Sequence, residues 1–165
     1  MRYFLAKENS REVTPRLQQT LQYEKDQNLD NIHSYLDFAE KCSMRKNELF
    51  EIINNFKKEG KKIIGYGATS KSTTILNYCG LSKDHIDYIV DNTPTKIDKR
   101  TPITDIPIKD RDFFLNDKNV DAIVLFAWNH AKEIMLKESK FTSDGGIWID
   151  IGENIGVIDD PVCKS

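Results

Sequence analysis

The segment Ile63-Ile64-Gly65-Tyr66-Gly67-Ala68-Thr69-Ser70-Lys71 holds the most chemically suggestive spacing in the chain. Two glycines where a strand turns into a helix permit a tight turn at Gly65. At Gly67 they let the backbone approach an anion, with the N–H groups of the following helix aimed at it. Ala68 lies inside that turn. Ser70 stands where dinucleotide folds carry a third glycine; its hydroxyl can cap the helix or bond a phosphate, and Lys71 can add a point charge. The plain alternative is a tight corner with Lys71 in solvent. Asp91 follows Gly67 by 24 residues, where dinucleotide folds place an acid on a ribose hydroxyl. It equally suits a turn in Asp91-Asn92-Thr93-Pro94.

Trp128-Asn129-His130 is the second cluster. At the carboxyl end of a strand, an indole can stack on a base while an amide bonds its edge or a sugar. Trp128 can also be core and Asn129 a helix cap. His130 has the pKa range of a general base but no identifiable partner, and His33 and His85 read as surface residues. No two histidines or cysteines stand at ligand spacing, so no metal is expected. Cys42, Cys79 and Cys163 are odd in number and widely spaced, which fits reduced thiols and a cytoplasmic location.

Positioning these groups requires two textures of sequence. Residues 1–60 are nearly free of glycine and proline and read as a short strand, Arg2-Tyr3-Phe4-Leu5-Ala6, followed by a two-helix arm. Thr14-Pro15 opens the first helix, which runs to about Asn28. The second starts after Asp30 or Asn31, with an apolar stripe from Ile32 through Leu49 and Ile53 to Phe56, and ends at Gly60. Residues 61–165 alternate short apolar strands and helices. The spacing predicts strands over 62–66, 86–90, 122–127 and 147–151, and helices over 70–78, 112–115 and 131–139. Apolar strands alternating with helices imply an α/β fold: a Rossmann-like three-layer sandwich around a mostly parallel sheet.

Composition narrows the field. The chain has 165 residues, 24 basic and 26 acidic, giving a net charge of −2. That argues against a broad nucleic-acid-binding face while leaving room for a local basic pocket. The longest apolar run, Ala122 to Trp128, is far short of the ~20 residues of a membrane span.

The run from Gly65 to Leu81, containing Gly65-Tyr66-Gly67-Ala68, Lys71 and Leu76-Asn77-Tyr78-Cys79-Gly80, closely resembles the C-terminal domain of bacterial sugar C-methyltransferases. These enzymes methylate a nucleotide-linked deoxy-ketosugar. The resemblance continues through Ile89 to Lys96, Thr101-Pro102, Ile106-Pro107 and Ala127-Trp128-Asn129, covering about residues 1–150. Ile97-Asp98 and Ile149-Asp150-Ile151-Gly152 depart from the family pattern, the latter at its last strand and loop. Members of the family join a zinc-binding segment, an S-adenosylmethionine-binding domain and a C-terminal Rossmann-like domain that helps hold the nucleotide sugar. The resemblance implies that residues 1–6 match the last strand of the middle domain, so that the chain starts inside that strand. It implies no catalytic base and no S-adenosylmethionine site in this chain, both being expected in a catalytic domain or subunit beside it.

The resemblance thus implies a substrate-binding domain, catalytically incomplete alone, that positions a nucleotide-diphosphate sugar. The glycine turn (Gly65, Gly67, Ala68) and Ser70 would face phosphate, with Lys71 adding charge. Tyr66, Tyr78 and Trp128 would offer stacking surfaces, and Asn77, Asp91 and Asn129 polar contacts. The competing readings are an NAD or other nucleotide-binding module, favoured by Asp91 and opposed by Ser70, and a structural domain with an empty turn. An unpaired first strand would invite homo-oligomers.

Overall fold

Thr14 is extended, and its hydroxyl oxygen accepts the Leu17 N–H at 3.3 Å, with Pro15 fixing the first helical position. Helix α1 therefore runs from Pro15 to Asp26. Asn31 accepts the His33 N–H at 3.0 Å, and α2 then runs from Ile32 to Lys58. The structure, a computed structural model, describes residues 5–8, 10–152 and 155–158. Arg2, Tyr3 and Phe4 of the expected first strand lie outside the described residues; Leu5 and Ala6 carry no strand. Cys163 also lies outside them.

The chain divides into two compact units, Met1–Ser43 and Met44–Ser165. Helix α1 buries no residue, and α2 buries only Leu49 and Ile53, both in the second unit. The apolar stripe read along α2 is thus covered only toward its end. Ile32, Tyr35 and Leu36 at its start are exposed.

In the second unit the elements are β1 (Ile63–Tyr66), α3 (Ser70–Cys79), β2 (Ile89–Val90), β3 (Ile108–Lys109), α4 (Arg111–Asn116), β4 (Ala122–Leu125), α5 (Ala131–Lys137), α6 (Ser139–Ser143), β5 (Ile147–Asp150) and β6 (Gly156–Ile158). A 3₁₀ turn, Trp128–His130, links β4 to α5. The sheet order is β3-β2-β1-β4-β5-β6, parallel except for β6, which pairs antiparallel with β5. Side chains alternate across the strands. Ile63, Ile89, Val124 and Ile149 share one face with Leu49 and Ile53 of α2 and Leu76 of α3. Ile64, Val90, Leu125 and Trp148 share the other with Phe114 of α4 and Met135 of α5. Both faces are covered, as a parallel sheet requires.

Three local expectations need correction. The helix expected over 131–139 breaks at Glu138, which leaves helical geometry (φ −102°, ψ 27°) and turns a buried carboxylate inward. The strand expected over 86–90 narrows to Ile89–Val90. Strands β3 and β6 carry too few residues to register as patterns and appear only through pairing.

Candidate functional site

From β1 the chain continues one way into β2 and, across the sheet, β1 also pairs with β4, so the strand order diverges at the carboxyl ends of β1 and β4. Such divergence leaves a crevice where open α/β sheets bind ligands. The glycine turn borders it. Gly67 has φ +95° and donates its N–H to Val90 O at 2.8 Å. A Cβ on Gly67 would sit 2.8 Å from Ala127 Cβ. On Gly65 it would meet Phe126 Cε2 at 2.7 Å and Ile89 Cγ1 at 3.0 Å. Both glycines are therefore demanded by packing against β2 and the end of β4.

The Ala68 N–H donates to Asp91 Oδ2 at 2.9 Å, while Thr93 N–H donates to Oδ1 at 2.8 Å. Lys96 Nζ bonds Ala68 O at 2.8 Å and Asp91 Oδ2 at 3.2 Å. Asp91 thus staples the end of β2 to the glycine turn. Burial alone would raise its pKa; the hydrogen bonds from Thr93 and the Lys96 ammonium outweigh it and hold the carboxyl below the ordinary range. Thr69, rather than Ser70, caps α3, its hydroxyl oxygen accepting the Ser72 N–H at 3.1 Å. Ser70 is the first helical residue and is exposed.

Three of the expected residues come together. Lys71 Nζ lies 4.6 Å from the centre of the Trp128 ring and donates to Asn129 Oδ1 at 3.1 Å. A cation over an indole face is electrostatically favourable, and the amide fixes where the ammonium sits. Trp128 also faces the loop after β5, its Cδ1 3.5 Å from the place a Gly152 Cβ would take. There Gly152 N–H donates to Asp150 Oδ1 at 2.9 Å, and Arg45 Nη2 donates to the carbonyls of Ile151 and Gly152.

Other expected residues lie elsewhere. Tyr66 points into the opposite core, packed on Phe114 and Trp148, and donates its hydroxyl to Glu138 Oε1 at 2.9 Å. Arg111 holds the same carboxylate through Nε at 2.6 Å and Nη2 at 2.9 Å. Burial first, then the Glu138 charge, push the Tyr66 phenol well up. Asn77 donates to Thr73 O at 2.8 Å, and Tyr78 lies half-exposed under Lys46. Both sit near the end of α3, about 10 Å along its axis from Ser70. His130 is exposed, 3.8 Å from Glu133. Lys96 joins the turn through Asp91 and Ala68, a role that its place in Thr93-Pro94-Thr95-Lys96 does not mark. Among the described residues no cluster of three or more His, Cys, Asp or Glu could hold a metal, and no helix is long and apolar enough to cross a membrane.

Comparison with known proteins places this geometry. A sequence model described as the C-methyltransferase C-terminal domain matches residues 1–151. The C-methyltransferase NovU of Streptomyces niveus is 31% identical over 138 residues, which is 84% of this chain and 33% of that relative. The chain therefore spans about a third of the length of the curated relative it matches. With a mostly parallel sheet, a glycine turn at its divergence point and a match over nearly the whole chain, the protein belongs to the C-methyltransferase C-terminal domain family.

Proposed function

We propose that this chain is a Rossmann-like domain that holds a nucleotide-diphosphate sugar for methylation by a neighbouring S-adenosylmethionine-binding domain. The observation that carries the reading is the meeting of Lys71, Trp128 and Asn129 at the carboxyl edge of the sheet, where β1 and β4 diverge. The strand order is that of doubly wound nucleotide-binding sheets. Carbon methylation beside a keto group requires an enolate carbon to attack the sulfonium methyl, expelling the thioether. The chain's share of that reaction is positioning, which fixes the sugar relative to the donor. Trp128 offers its ring to the ligand, Asn129 an amide edge, and Asp91 keeps the turn beside them in shape. For the donor domain, the exposed Leu17, Leu21, Ile32, Tyr35, Leu36 and Phe38 of the first unit supply an apolar contact surface. Reduced Cys42 and Cys79 suit a cytoplasmic setting.

Titration of the chain with a thymidine-diphosphate sugar, NAD and S-adenosylmethionine tests this. Sugar-nucleotide binding that weakens at least tenfold in Trp128→Ala, with no response to S-adenosylmethionine, is expected. Tight NAD binding with indifference to the sugar nucleotide would reject it.

A further inference from the structure

Beside the glycine turn, between the first turn of α3 and the loop after β2, lies a cavity of about 250 Å³. Its lining includes Lys96, Lys99 and Arg100 and the hydroxyl residues Thr69, Ser70 and Thr73, and no carboxylate. In a chain with 26 acidic residues against 24 basic, that segregation is not what composition supplies. Two other cavities mix the two signs of charge. One of about 250 Å³ sets Asp117, Glu138 and Asp144 beside Arg111, Lys118, Lys137 and Lys140, and one of about 500 Å³ sets Asp121 and Asp144 beside Lys62 and Lys118.

The ion pairs sharpen the contrast. Lys96 is tied to Asp91, and Arg100 is tied through Nη1 to Asp105 at 3.1 Å. Lys99 has no ion pair or side-chain hydrogen bond among the described residues. The glycine turn itself is closed to an anion at Ala68, because Asp91 already accepts that N–H and would repel a second negative group. Lys71 is turned away over Trp128 and bonded to Asn129. The unpaired side-chain charge therefore lies on the flank of the turn and not within it. The volume falls below the ~300–1,000 Å³ of pockets that take whole drug-sized ligands, so this one fits a portion of a ligand.

We propose that this cavity seats the diphosphate of a nucleoside-diphosphate ligand, with Lys99 as its unpaired charge and Arg100, engaged by Asp105 only through Nη1, lending its remaining N–H donors, while Lys71, Trp128 and Asn129 serve the ligand's uncharged part. The assignment rests on the nucleotide-sugar reading above and moves the phosphate contact from Lys71 to residues the sequence did not single out.

Calorimetric titration of the full chain with inorganic pyrophosphate, thymidine diphosphate and thymidine tests it. Lys99→Glu and Arg100→Gln should each weaken pyrophosphate and thymidine diphosphate at least tenfold, with unchanged thermal melts and a shallower dependence on salt. Lys71→Ala should leave pyrophosphate within twofold. Pyrophosphate affinity indifferent to both Lys99→Glu and Arg100→Gln would overturn the assignment, as would absence of binding by the unaltered chain. Sugar-nucleotide binding that needs Trp128 yet ignores Lys99→Glu would overturn the diphosphate seat and leave the proposed function standing. Lys99-dependent pyrophosphate binding with no affinity for the sugar nucleotide would do the reverse, leaving a seat for another phosphorylated compound.

Discussion

The Asp91 carboxylate joins three segments through the Ala68 N–H, the Thr93 N–H and the Lys96 ammonium. Its pKa is depressed in the folded chain, so its contribution is present above the unfolded value of about 3.9 and lost as pH falls through the folded one. Asp117 shares that direction: burial opposes it, while Lys62 and Tyr88 together prevail. Asp91→Asn should lower stability at pH 7 by about 1–3 kcal/mol and flatten the loss seen on acidification below about pH 5. Urea denaturation at pH 7 and pH 3 measures both; an unchanged difference between the two would refute the staple. The sequence marks Asp91 as special by its distance from Gly67. It does not reveal the partner, because the Ala68 contact exists only once β1 and β2 lie parallel and adjacent. Lys71 and the Trp128-Asn129 pair were legible as separate clusters, and only the fold brings the Lys71 ammonium over the Trp128 ring and within hydrogen-bonding distance of Asn129.

At the level of elements, local punctuation was legible where one residue type has one physical use. Thr14-Pro15 starts α1, and Gly80, left-handed at φ 68° and ψ 28°, ends α3. What escaped depends on distant pairing: β3, β6 and the break at Glu138. Backbone strain gives a paired prediction. Ile103 is 91% exposed with φ 69°, a conformation unfavourable to a β-branched residue, at the tip of a loop closed by the Thr101 N–H to Ile106 O bond of 2.9 Å. Ile103→Gly should raise stability by about 0.5–1 kcal/mol, strain relief exceeding the added chain entropy. Gly67→Ala should lower it by about 2–4 kcal/mol, because it adds both strain and a clash with Ala127. Thermal melts of the two variants should move in opposite directions.

For the molecule as a whole, burial divides unevenly along the chain. No described residue of the first unit is buried, whereas β1 and β4 are buried throughout. Amide hydrogen exchange should therefore be at least about a hundredfold slower in β1, β4 and β5 than in α1. Comparable rates would show that α1 draws stability from contacts other than burial. The apolar stripe of α2 was readable as a face. Which half of that face is covered was not, since periodicity reports side-chain type and not its neighbours.

The two glycines of the turn also bear on ancestry. Phe126 and Ala127 exclude a side chain at Gly65 and Gly67 whether or not any ligand is present. A descendant that abandoned its substrate would keep both glycines for folding alone, while the Lys99 side chain, with no ion pair or hydrogen bond among the described residues, would be free to drift. With the diphosphate seat proposed above, the lysine, and not the glycine motif, would record across such a lineage whether the ligand is still used.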